Sequence, residues 1–481
     1  MADFFKHSMV MLSGAVLAQA IPIAISPILT RLYTPSQFGV FSSVVALAGI
    51  LSVIASLRFD LAVVLPKERE DAANLVALAL ASAAIFCGSV WLIVFGFYPF
   101  FSKLQIIKSL GVWWDAVPIL AFFIAFQQLL AFFANREKQY KAIAFGNVAL
   151  QSMAAVTAIG IGLLLAKISW LNGLVIARLC GFAAAGLLLF LTLRHFWLQY
   201  RPFVTWRMMH ATAVAYRKFP YFNVPYSLAG VFSREFLILA FTAASQLQAA
   251  GHYGFARLIL NAPINFLTAA LSQVFYREAA ANADTLQFRR FVFRLMLLFS
   301  VGLTPIFALA GWWAEPGFVF LFGSEWGQSG VFAAMLMPIA LLSVFTSWPE
   351  RIFEVKHRQH WALIIQLCFD FTSVTCVVLM LKWNYGVVPT IAVYVAIQTL
   401  YQLVYLFAVF HLVGLSIRQY SGILAIVVGG AFFVTGTHSI LQDIFPEYLG
   451  RLIIEGFFVS LLSGGGILLA NRWGTMHFKG V

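Results

Sequence analysis

Charge is what this sequence has least of. Of 481 residues only 10% are charged, with 31 Lys+Arg against 18 Asp+Glu, where an ordinary soluble domain carries about 25%. That is too little to cover the surfaces of the two or three domains a soluble chain of this length would form. A soluble enzyme or binding module is excluded. Cysteine is scarce too. Cys87, Cys180, Cys368 and Cys376 all fall within apolar runs and read as buried small apolar residues, so no disulfide or metal framework is expected. No P-loop, HExxH, CxxC or GxSxG motif stands out. His195, His210, His357 and His360 sit in loops, without paired carboxylates placed for acid–base work. These absences point away from an enzyme and call for no cofactor.

What remains is apolar. Hydrophobic residues make up 62% of the chain, and Phe alone contributes 49. A helix crossing a bilayer needs roughly 20 mostly apolar residues. Fourteen such runs can be read, at 11–31, 36–57, 72–97, 116–134, 142–166, 170–193, 221–244, 255–275, 291–314, 329–347, 362–382, 386–408, 418–438 and 451–470. The expected fold class is all-α, a polytopic membrane protein of about 14 transmembrane helices. The pairs 11–31/36–57 and 142–166/170–193 are expected to form tight helical hairpins. Ala18-Gln19-Ala20 has the shape of a signal-peptidase site, but the apolar run continues past it, and an uncleaved first helix is expected.

The net charge of +13 does not mark a nucleic-acid binder, because its carriers sit in short gaps between apolar runs. Loops on one side hold 22 of the 31 Lys+Arg, those on the other side six, and three lie inside spans. By the positive-inside rule this alternation places both termini in the cytoplasm. On the outer side the longest loop, 98–115, is short for a membrane glycosyltransferase or ligase. The basic, Trp-containing loop 194–220 suits a helix along the cytoplasmic interface. It divides the chain into an N-terminal lobe of six spans (1–193), a connector (194–220), a C-terminal lobe of six spans (221–408), and two further spans with the tail (409–481). Any repeat between the lobes is parallel, and Phe38-Gly39-Val40-Phe41 and Gly251-His252-Tyr253-Gly254-Phe255 open corresponding spans.

Polar residues within spans mark protected faces. In the eighth span Arg257, Asn261, Asn265, Thr268 and Ser272 share one helical face, which suits a wet cavity. The seventh repeats the theme with Asn223, Ser227, Gly230 and Arg234. In the first, Gln19, Ser26 and Thr30 share a face beside Pro22 and Pro27. Arg31, Arg178, Arg234 and Arg257 are the ionisable groups in or at the ends of the spans' outer halves, and Arg grips phosphate oxygens in a fork. The candidate substrate-binding set is therefore Arg31, Arg178, Arg234, Arg257, Asn261, Asn265 and Asn223, with a purely structural pairing equally open for Arg31 and Arg178. Glu235 and Asp370 read as the carboxylates inside spans and as candidate ion-coupling groups. Arg58 and Asp60 read as interface anchors.

Two stretches carry a family resemblance. One is Ser26-Pro27-Ile28-Leu29-Thr30-Arg31-Leu32-Tyr33-Thr34-Pro35, then Phe38-Gly39-Val40-Phe41 and Leu57-Arg58-Phe59-Asp60-Leu61-Ala62-Val63-Val64-Leu65-Pro66. The other is Tyr216-Arg217-Lys218-Phe219-Pro220, then Ala250-Gly251-His252-Tyr253-Gly254-Phe255-Ala256-Arg257, Pro263, and Ser272-Gln273-Val274-Phe275-Tyr276. Through them the chain resembles the bacterial polysaccharide transporters, the Wzx-type O-antigen and exopolysaccharide flippases. These belong to the superfamily that also holds multidrug-extrusion carriers and the lipid II flippase. The resemblance implies two six-helix lobes around a central cavity plus two C-terminal helices, in the bacterial inner membrane. It implies an alternating-access flippase for undecaprenyl-diphosphate-linked oligosaccharide, driven by an ion gradient (H+ or Na+) or the membrane potential. Two-lobed carriers with internal repeats can work as monomers, and a monomer is expected. A polysaccharide polymerase and a chain-length regulator are the protein partners it suggests. The alternative is an ion-coupled multidrug cation extruder, and a more remote one is a membrane glycosyltransferase or ligase.

Overall fold

The structure, a computed structural model, describes residues 2–164, 171–444 and 448–476. Fourteen long helices account for most of them: α1 (Ala2–Leu32), α2 (Pro35–Ala55), α3 (Arg69–Gly96), α4 (Ala116–Arg136), α5 (Tyr140–Leu164), α6 (Gly173–Tyr200), α7 (Val224–Ala243), α8 (Leu247–Asn282), α9 (Leu286–Trp312), α10 (Gly327–Ser347), α11 (Gln359–Lys382), α12 (Val387–Val413), α13 (Ile417–Ile444) and α14 (Tyr448–Met476). There is no strand among the described residues. Thirteen segments are long and apolar enough to cross a membrane by length and composition. The remaining long helix, α8, has 36 residues and spans roughly 54 Å at 1.5 Å per residue. The fold is all-α and polytopic, as expected. Of the two expected hairpins, α1–α2 closes through a two-residue turn, while the α5–α6 connection, 165–170, lies outside the described residues.

Local chemistry fixes the ends that matter. Thr34 caps α2: its Oγ1 accepts from the Gln37 backbone N–H at 3.4 Å, and Gln37 Oε1 accepts from the Thr34 N–H at 3.0 Å, a reciprocal capping box with Pro35 at the first helical position. Asn172 caps α6 by accepting from Leu174 and Val175, and its Nδ2 donates to the Gln37 carbonyl at 2.7 Å. In α1, Pro27 has no N–H for the Ile23 carbonyl. The Ser26 hydroxyl donates to that carbonyl at 2.7 Å, so the helix runs through its proline with the freed group satisfied.

The helices group into two compact units that divide after Phe255, inside α8. In the first, α5 packs on α1 and α6, α4 on α2, α3 and α6, and α7 on α2. Val117, Leu120 and Val175 are fully buried at its centre. Near one end Arg136 donates to the carbonyls of Val63 (3.2 Å) and Glu68 (3.2 Å), pinning the 63–68 segment to the end of α4. In the second unit α9 packs on α10, α13 and α14, while α12 packs on α10 and α11. Phe275 meets Trp348 edge-on at 5.1 Å in its core. Lipid tails are as apolar as these side chains, so close packing and hydrogen bonds, rather than escape from water, hold the helices together.

One close backbone approach in the first unit is reciprocal. A Cβ placed on Gly39 of α2 would lie 1.9 Å from the Leu247 carbonyl oxygen, and one placed on Gly251 would lie 1.9 Å from the Pro35 carbonyl oxygen. The same spacing along the chain separates Gly39 from Gly251 and Pro35 from Leu247. The two glycine-aromatic stretches picked out in the sequence thus lie inside α2 and α8 and pack on each other, with Phe38 edge-on to Phe255 at 5.4 Å.

Three expectations need correction. Cys368 is exposed on α11 rather than buried, because a thiol is apolar enough to face lipid. Asp60 is no interface anchor. It is fully buried in the short helix Phe59–Ala62, accepts from the Ser56 hydroxyl at 2.9 Å and lies 3.7 Å from Arg58. The chain turns there through left-handed Leu57 and Arg58, and the buried carboxyl ties that turn. Finally, the sixth span does not stop at 193, and the helix expected within 194–220 is present but occupies only part of it. Helix α6 continues to Tyr200, and only Trp206–Ala215 is a separate helix, packed on α3.

Candidate functional site

The polar groups singled out in the sequence fall in both units. In the first, Arg31 occupies the last turn of α1, exposed, and its Nη1 donates to the Pro27 carbonyl at 2.9 Å. Asn223 is half-buried at the end of a wide turn, Phe219–Asn223, where the Val224 N–H reaches back five residues to the Phe219 carbonyl between Pro220 and Pro225. Such π-turns bulge a helix and recur at functional sites. Beyond it on α7, Arg234 is exposed, its Nε donating to the Gly230 carbonyl at 3.1 Å, and Glu235 is half-buried.

Arg178 is different. It lies between α5 and α6, with Nη1 donating to Gln151 Oε1 at 3.4 Å, its guanidinium 4.9 Å from the Phe182 ring centre, and its Nε buried without a hydrogen-bond partner. This enclosure suits the structural role that the sequence leaves open for it. The side-chain oxygen of Gln19, on the polar face of α1, is also buried without a hydrogen-bond partner.

In the second unit the stripe on α8 is graded. Arg257 is half-buried, Asn261 and Asn265 are exposed, and Thr268 is buried with its hydroxyl donating to the Ile264 carbonyl at 2.9 Å. Asn261 and Asn265 thus leave two amides exposed at mid-helix, an arrangement that is costly against hydrocarbon. Asp370 is half-buried on α11, one turn from Ser373, which accepts from Gln398 Nε2 on α12 at 3.2 Å. Among the described residues no group of three His, Cys, Asp or Glu could hold a metal ion.

One set of ionisable groups escapes a reading of the sequence. Glu455, inside α14, is buried, as are Arg451 one turn before it and His438 on α13. The count of carboxylates in spans therefore has to include Glu455, and Arg451 is a buried helix residue rather than a loop charge. Their i,i+4 spacing was the available signal. Stripe-by-stripe reading missed it because the group draws on three different helices.

Comparison with known proteins agrees with this architecture. A family model described as "Polysaccharide biosynthesis protein" matches residues 28–331. Among solved structures, the lipid II flippase MurJ in an inward closed conformation superposes with a TM-score of 0.71 at 11% identity, covering 97% of this chain and 98% of that one. An inward-facing multidrug resistance MATE family transporter of the MOP superfamily superposes with a TM-score of 0.53 at 12% identity, covering 86% and 94%. No curated protein matches the sequence. The chain thus has the fold of these membrane transporters, and it belongs to the polysaccharide biosynthesis protein family.

Proposed function

We propose that this protein is a flippase that carries undecaprenyl-diphosphate-linked oligosaccharide repeat units from the inner to the outer leaflet of the bacterial cytoplasmic membrane. It serves O-antigen, exopolysaccharide or capsule synthesis. Both termini are cytoplasmic, and six-helix lobes rock about a central site in alternating access. The observation that carries this reading is the arginine- and asparagine-bearing face of α8, with Asn261 and Asn265 exposed at mid-helix, in a chain of the polysaccharide biosynthesis family. Arg31, Arg234 and Arg257 receive the diphosphate, and Asn223, Asn261 and Asn265 meet diphosphate or sugar. Guanidinium forks match phosphate oxygens and keep their charge. Asp370 and Glu235 are the candidate groups for ion coupling.

Cells lacking the gene test the reading. The expected result is a completed lipid-linked repeat unit accumulating on the cytoplasmic leaflet, relieved by the wild-type gene. A normal glycan profile with new sensitivity to cationic drugs would point to the multidrug extruder of the same superfamily. The chain's arginine-rich polar faces disfavour that reading, since a cationic cargo calls for intramembrane carboxylates.

A further inference from the structure

At the joint where the end of α9 meets α13 and α14, three buried ionisable side chains meet two indoles, Trp313 half-buried and Trp312 exposed on its outer side. His438 Nδ1 lies 2.9 Å from Glu455 Oε1, with side chains only 7% and 2% exposed. Glu455 Oε2 accepts from the Trp313 indole N–H at 2.6 Å. Arg451 Nε is 3.9 Å from Glu455 Oε1, and its guanidinium sits 5.2 Å from the Trp313 ring centre. On its other side the His438 ring stacks on Trp312, centroids 4.5 Å apart and planes 19° off parallel. Trp312 is held in turn by its indole N–H donating to Thr435 Oγ1 at 3.2 Å.

We propose that His438, Glu455 and Trp312 form a binding site for a single proton at this joint, independent of the cargo the protein carries. Each neighbour of the imidazole suits its protonated form. The Glu455 carboxylate supplies the counter-charge, and the Trp312 face supplies a cation–π contact. Arg451 leans on Trp313 instead, and is farther from the carboxylate than His438 is.

Among the described residues the charges close by are few. On the packed elements, α9 carries none between Arg294 and Trp312, α10 carries none, Asp443 on α13 is exposed, and Glu315, in the segment following α9, is exposed. With neutral imidazole, Arg451 balances Glu455. Adding the proton to His438 leaves one net positive charge in an enclosed site, which changes the energy of seating α13 and α14 on α9.

The test uses the stacked indole as its own reporter, because imidazolium quenches an adjoining tryptophan. Tryptophan emission of the purified full-length protein in detergent is titrated from about pH 5 to 9. Trp361 also stands beside two imidazoles, His360 and His411, so the expected result is read as a difference: a one-proton quenching step in the wild-type curve minus the His438→Gln or Trp312→Phe curve, displaced in Glu455→Gln. If the His438→Gln protein does not fold, Trp312→Phe supplies the same comparison with the imidazole and the carboxylate still in place. A flat difference between wild type and both variants, or an unmoved midpoint in Glu455→Gln, would overturn the assignment. Transport does not enter the readout, so failure of the flippase reading would leave the result standing.

Discussion

An arginine inside a membrane helix persists only where its charge has company, and the structure separates those turned inward from those on open faces. Arg178 is enclosed by Gln151 and Phe182. Arg178→Ala is therefore expected to lower the unfolding temperature while transport per folded molecule holds, which paired thermal and transport measurements would check. Arg257 heads a polar face. Arg257→Ala is expected to cut repeat-unit transport on the order of tenfold, the loss of ~1.4 kcal/mol of binding, and Arg257→Lys, which keeps the charge but loses the fork, to fall between. Wild-type transport in both variants would remove Arg257 from the site. Asp60, outside the membrane-spanning helices, makes a pH prediction. Burial pushes its carboxyl above the ordinary carboxylate range, against the smaller opposing effects of the Ser56 hydrogen bond and Arg58. The folded protein then holds this proton to higher pH than the unfolded chain does, so stability declines as pH rises from about 4 through the folded value. Asp60→Asn, which retains an acceptor for Ser56, should flatten that decline in thermal unfolding; an unchanged slope would count against it.

Between elements, the reciprocal approach of Gly39 and Gly251 sets how closely α2 and the start of α8 can cross. In Gly39→Ala or Gly251→Ala a methyl group meets a backbone carbonyl, which has no rotamer by which to yield. Each substitution is expected to cost about 1–3 kcal/mol and to lower the detergent-solubilised unfolding temperature, with the double variant less than additive because both relieve one contact. Full additivity would mean that the two glycines act separately. The helices themselves were legible in the sequence, because a bilayer demands long apolar runs with satisfied backbones and leaves little else to decide. Phe38-Gly39 and Gly251-His252 were visible as a motif, but not as partners, since pairing depends on tertiary approach. The open face of α8 was visible as a spacing. The Glu455 group was not, because no single helix shows it. Asp60 was misjudged because a carboxylate at a helix end usually reaches water, and here Ser56 and Arg58 allow it to stay inside.

For the whole molecule, lysine and arginine alternate between loops while polar side chains line particular helix faces, and both features suit the carrier proposed above. The family match over residues 28–331 and the fold shared over nearly the full chain support the proposal of a polysaccharide-precursor cargo. The central claim is translocation, and purified protein in liposomes tests it most directly. Undecaprenyl-diphosphate oligosaccharide is placed in one leaflet, and the sugar exposed on the other face is followed with a membrane-impermeant lectin. The account predicts sugar appearing at the far face with wild type, and much more slowly with Arg257→Ala. Equal rates in protein-free vesicles and in vesicles holding folded wild type, with an ion gradient and membrane potential applied, would contradict it.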